Sequence, residues 1–128
     1  MNWSRWAAVL LGTILGGWMT FDGARAFVTG EYVTPQSGPN AGQLGPWSRV
    51  IAAVGLDPRS ATVKAVHIGL GVLWLAAVVC FAARFGWARW TMASCAVASL
   101  WYLPAGTLVG VVELGLLLLP LLRDRVSG

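Results

Sequence analysis

Residues 61–83 read ATVKAVHIGLGVLWLAAVVCFAA. One lysine, Lys64, one histidine, His67, and Thr62 and Cys80 interrupt a run of otherwise apolar and small residues. At 1.5 Å per residue, a helix over this stretch reaches about 34 Å, enough to cross a hydrocarbon core of about 30 Å. Lipid offers no partner to backbone N–H and C=O groups, so such a segment satisfies them internally as a helix.

Working outward, three further apolar segments appear. The spans expected are residues 3–21, 61–83, 88–103 and 105–122. The third and fourth are short, but flanking Trp and Arg side chains reach the interface and the bilayer thins locally. The composition agrees: of 128 residues, 57% are hydrophobic and 11% charged, with a mean hydropathy of +0.69. Soluble domains carry about 25% charge. These values exclude an ordinary cytosolic enzyme, a disordered chain, a coiled coil and a disulfide-stapled module. The expected fold is an all-α membrane protein, one domain over residues 1–128. Four transmembrane helices form a bundle, and a long extracytoplasmic loop, residues 22–58, carries a short amphipathic surface helix.

The net charge is +4. Its positives sit singly at the ends of apolar runs rather than in a patch, so they read as topology signals and not as a nucleic-acid footprint. Arg5, Arg84, Arg89, Arg123 and Arg125 fall in three short segments on one side. The positive-inside rule places that side, with both termini, in the cytoplasm and the long loop outside the plasma (inner) membrane. Trp3, Trp6, Trp87 and Trp90 fall at the inner interface. Trp18, Trp47 and Trp101 fall at the outer one, as an aromatic belt requires. A competing reading takes Ala24-Arg25-Ala26 as a signal-peptidase site, which would leave three helices.

In the loop, Trp47, Val50, Ile51 and Val54 repeat at i, i+3, i+4 and i+7, which makes one apolar helical face. Pro46 suits the first turn and Gly55 the stop. Asp57-Pro58 reads as N-cap and first position of the next helix. Asp22, Arg25 and Glu31 form a candidate polar cluster, with Arg49 or Arg59 as a partner for Glu31.

Glu113 is the sharpest chemical feature, a carboxylate near mid-depth of the last span. Such residues face a bundle interior or a water path, where they either carry protons, ions or substrate or, protonated, hydrogen-bond a neighbouring helix as a structural group. Gly106 and Gly110 share its stripe as a packing seam, and Gly12 and Gly16 form a second seam in the first span. Lys64, His67 and Trp74 share a face of residues 61–83, with His67 about one turn shallower than Glu113. Cys80 and Cys95 fall at similar depth and read as buried small hydrophobes. One histidine and no C-x-x-C motif support no resident cofactor, and a haem would need a second chain's ligand. No metal spacing, phosphate loop or nucleophile–base pair is present.

Three functions remain open. The first is a non-enzymatic accessory or assembly subunit of a larger membrane complex, with other subunits or a second copy as partners beside the lipid bilayer. The second is a small proton- or cation-linked carrier using Glu113 with His67. The third is a quinone- or haem-binding oxidoreductase component.

Overall fold

The computed structural model describes residues 3–35, 37–39, 41–102 and 105–127. Every regular element among them is a helix: α1 (Trp3–Thr29), α2 (Trp47–Ala53), α3 (Ala61–Ala82), α4 (Ala88–Ala98) and α5 (Ala105–Ser127). Three helices are long and apolar enough to cross a membrane: α1, α3 and α5 over Ala105–Leu122. The chain is therefore built as a membrane-embedded, all-helical protein.

α1 runs well past the expected boundary at Phe21, so residues 22–29 belong to the helix and not to the loop. The reason lies in two glycines. Gly30 has φ +85° and donates its N–H to the Ala26 carbonyl at 2.9 Å, the left-handed stop of a helix. Gly23 ends nothing. It lies inside α1 because a Cβ there would fall 2.8 Å from His67 Cβ and from Ile68 Cγ1. The Ala24-Arg25-Ala26 tripeptide thus sits within a continuous helix, with Ala26 buried.

α2 forms between Pro46 and a Gly55 at φ +88°. The N-cap of α3 is Ser60 rather than Asp57: its hydroxyl accepts from the Val63 N–H at 3.4 Å. Asp57 instead closes a local turn, accepting from the Arg59 N–H at 3.0 Å. α4 has 11 residues where a span to 103 was expected. Its end unwinds into i→i+3 turns, Leu100 N–H to Val97 O and Tyr102 N–H to Ser99 O, which carry Trp101 and Tyr102 across the end of the helices. Leu103 and Pro104, in the expected turn, lie outside the described residues, as do the side chains of Arg123, Asp124 and Arg125.

α1 packs most extensively on α3 and also meets α5, while α4 meets both α3 and α5. The α1–α3 contact is antiparallel and close. A Cβ at Gly12 would lie 2.7 Å from Val78 Cγ2, one at Gly16 2.7 Å from Trp74 Cβ, and one at Gly71 2.7 Å from the Gly16 carbonyl. Both partners are small where the axes cross, so the backbones approach. The Gly106–Gly110 seam faces α4: a Cβ at Gly110 would lie 2.8 Å from the Ala96 carbonyl. Trp74 fills the centre, fully buried, and its indole N–H donates to Ser99 Oγ at 2.9 Å, tying α3 to α4.

Candidate functional site

The α2 end of the structure gathers both tyrosines, Trp47, Trp101, His67 and Asp22. His67, about 9 Å along α3 from Ala61, is 0% exposed. Its Nδ1 lies 2.9 Å from the Val63 carbonyl. A carbonyl only accepts, so the proton of that bond is on Nδ1, and when the ring is neutral Nε2 carries a lone pair. Nε2 is buried and has no hydrogen-bond partner among the described residues. Four rings surround the imidazole: Trp47 at 4.5 Å between centroids, Tyr32 at 4.9 Å, Tyr102 at 5.3 Å and Trp101 at 5.4 Å. They come from α2, the α1–α2 connection and the turn after α4. Chain segments far apart in sequence therefore close over one histidine.

Trp47 is 5% exposed. The expected assignment of this ring to an outer aromatic belt is corrected: Trp47, at the start of α2, turns inward and caps His67, while Val50 and Ile51 are half-buried and Val54 is exposed. Trp101 likewise packs edge-on to His67. Tyr32 is held by donating its hydroxyl to the Pro58 carbonyl at 3.0 Å. Burial, with the Asp22 charge second, pushes its phenol well above the ordinary value of 10.0.

Asp22 is the second buried centre here, 2% exposed. Its Oδ1 accepts from the Val33 N–H at 2.7 Å, and the Tyr102 hydroxyl donates to the same carboxylate. Trp18 Nε1 donates to Tyr102 Oη at 3.0 Å. A chain of donors thus runs from Trp18 through Tyr102 to Asp22. The expected Asp22–Arg25–Glu31 cluster does not form as a unit. Asp22 turns into the protein, while Glu31 pairs outward with Arg59 at 3.4 Å. Arg25 is half-buried, its Nε without a hydrogen-bond partner among the described residues.

Glu113 lies about 12 Å along α5 from Ala105. It is 0% exposed, and neither carboxyl oxygen has a hydrogen-bond partner among the described residues. Lys64 is half-buried on α3 and its ammonium makes no ion pair among them. Cys80 and Cys95 are free thiols.

The opposite end carries arginines. The Arg5 guanidinium stacks 3.9 Å over the Phe81 ring and donates to the Phe81 carbonyl. Arg89 stacks 5.5 Å over the same ring and donates to the Leu117 carbonyl. These cations tie the starts of α1 and α4 to the end of α3, and Arg89 also ties α4 to the middle of α5.

No group of three His, Cys, Asp or Glu suitable for a metal occurs among the described residues. The lone pair of His67 Nε2 is the donor that an iron or a ligand hydroxyl would meet. Four rings stand 4.5 to 5.4 Å from the imidazole.

Sequence reasoning found His67 and Glu113 because single ionisable residues in apolar runs stand out. It missed Tyr32, Trp47, Trp101 and Tyr102 as one cage, and Asp22 as an interior residue. The apolar positions of α2 and the adjacent Trp101-Tyr102 pair were the signals available. Comparison of the chain with protein-family models, with curated proteins and with solved structures returned no match to any of the three.

Proposed function

We propose that the chain is a small plasma-membrane protein with a proton-linked carrier function. In this reading it is a four-helix bundle that crosses the bilayer four times, with both termini cytoplasmic and the α2 segment outside. Glu113 carries the reading. An acid fully buried on an apolar helix, with no donor to either oxygen among the described residues, can take up a proton or meet a ligand's donor. Such groups inside membranes are costly and mark functional paths. His67 adds a second proton acceptor, its Nε2 also without a partner among the described residues. It sits on a helix running the same way as α5 and about two residues nearer the α2 end.

Liposomes containing the protein and a trapped pH dye are expected to dissipate an imposed pH gradient faster than empty liposomes. Glu113→Gln returns the rate to that of empty liposomes with the helical circular dichroism unchanged. Equal rates in wild type and variant would overturn the reading.

A second reading, an accessory subunit of a larger membrane assembly, is favoured by α4. Its 11 residues rise only about 16 Å. A cavity of about 460 Å³ lies along it, lined by Trp90, Ala93, Val97, Leu114 and Leu118 among others. A partner helix seated there would cover the short side. Purification from native membranes with one stoichiometric partner supports this reading, and a clean homo-oligomer sinks it.

A further inference from the structure

A cavity of about 440 Å³ lies at the α2 end, apart from Glu113 and beside the His67 cage. Buried Asp22, Trp47 and Tyr102 form its inner wall. Exposed Gln43, Pro46 and Arg49 also line it, so the cavity reaches the surface.

The inner wall has the chemistry of a cation site. Asp22 is a carboxylate withdrawn from water that makes no ion pair among the described residues, whose ion pair is Arg59–Glu31. Arg25, three residues further along α1, acts on it without pairing. A buried charge with no directly paired counter-charge is costly, and a bound cation would offset that cost. Its two donors, the Val33 N–H and the Tyr102 hydroxyl, use part of the roughly four lone-pair positions a carboxylate offers. An ammonium can take another. The Trp18 indole fixes Tyr102 by its hydrogen bond at 3.0 Å, which holds the phenol in the wall. Trp18, Trp47 and Tyr102 all line the cavity, and their ring faces attract an organic cation.

The mouth has the opposite sign. Arg49 is exposed on α2 and makes no ion pair among the described residues. A ligand with an anionic group on its outer side would meet that guanidinium in a charge-assisted bond. A cation alone would satisfy Asp22 and face Arg49 unfavourably, and an anion alone would face Asp22.

We propose that this cavity binds a small zwitterionic amine, its ammonium on Asp22 among the rings and its carboxylate on Arg49. Three probes separate the contributions: phenylalanine has both charges, phenethylamine only the ammonium, and 3-phenylpropionate only the carboxylate. Binding to the purified full chain in nanodiscs is read by calorimetry and by the indole fluorescence of the wall, with no pH gradient applied. The measurement is thereby independent of the proton-linked reading. Phenylalanine is expected to bind about tenfold or more tighter than either single-charge probe, a difference of about 1.4 kcal/mol. Asp22→Asn, which keeps an acceptor for Val33, is expected to weaken phenylalanine and phenethylamine about tenfold with unchanged thermal unfolding. Arg49→Gln, on an exposed side chain, brings phenylalanine down to the level of phenethylamine, and it decides the matter should Asp22→Asn fail to fold. The proposal is overturned by 3-phenylpropionate binding as well as phenylalanine, by no binding of phenylalanine at millimolar concentration, or by an order of affinities that Arg49→Gln leaves unchanged.

Discussion

Trp47 decides whether the histidine of this chain sees water. Its ring lies 4.5 Å from the His67 ring and belongs to a seven-residue helix, α2, held by one end of the structure. Removing it opens the cage on one side. Trp47→Ala is expected to make His67, the single histidine, reactive to an imidazole-acylating reagent that leaves the wild type unmodified. Mass spectrometry reads the adduct directly, and equal modification of both proteins would mean that the cage does not protect the ring. Tyr32 gives a second residue-scale prediction. The folded protein holds its phenolic proton more tightly than the unfolded chain, which releases it near 10.0. The stability this contributes is complete below pH 10 and is lost as pH rises from there toward the folded value. The chain has two tyrosines, so Tyr102→Phe leaves Tyr32 alone to titrate. Tyrosinate absorbance is expected to be absent at pH 10 in the folded variant and to develop on unfolding. Development near pH 10 without unfolding would contradict the burial of Tyr32.

At the scale of elements, glycine has two opposite jobs, and periodicity does not distinguish them. Gly30 and Gly55 end helices through positive φ, whereas Gly23 and Gly71 sit inside helices where another helix leaves no room. Composition therefore located α3 and the apolar part of α5 to within a residue or so of their ends. It misplaced the end of α1, because Asp22-Gly23 has the look of a helix stop. α2 was legible from its four apolar positions and flanking Pro46 and Gly55, but not the direction in which Trp47 points. That depends on α3 and on the turn after α4, which no local pattern encodes. The same holds for Asp22: its neighbours in sequence are ordinary loop or helix residues, and its partners, Val33 and Tyr102, arrive through tertiary structure. The contrast between Gly69 and Gly71 makes the packing argument measurable. A Cβ at Gly71 would lie 2.6 Å from the Thr20 backbone nitrogen, whereas one at Gly69 meets nothing within 4 Å. Gly71→Ala is expected to destabilise the protein by about 1–3 kcal/mol through overpacking against backbone. Gly69→Ala, two residues away, is expected to be neutral or stabilising by up to about 1 kcal/mol. Thermal unfolding in one detergent compares the two, and equal effects would refute the close α1–α3 approach.

At the scale of the whole molecule, the two ends differ in kind. One end holds the ring cage around His67, Asp22 and the cavity that Asp22 lines. The other holds Arg5, Arg84 and Arg89 near the starts of α1 and α4 and the end of α3. Excess arginine in short segments marks the cytoplasmic side of a membrane protein, so the proposed orientation puts the arginine end inside and has the cavity open outward. Two exposed positions read this arrangement, Ser37 in the α1–α2 connection and Gly86 between α3 and α4. One follows α1 and the other follows α3, so a chain in which both helices cross places them on opposite faces. Cys80 and Cys95 are free and are first replaced by serine. In that background, Ser37→Cys is expected to react with a membrane-impermeant maleimide on intact cells. Gly86→Cys is expected to react only once the membrane is opened. The reverse pattern would invert the orientation and turn the zwitterion cavity toward the cytoplasm. Labelling of both on intact cells would break the crossing of α3 itself, the helix whose 23-residue apolar stretch carries the membrane reading.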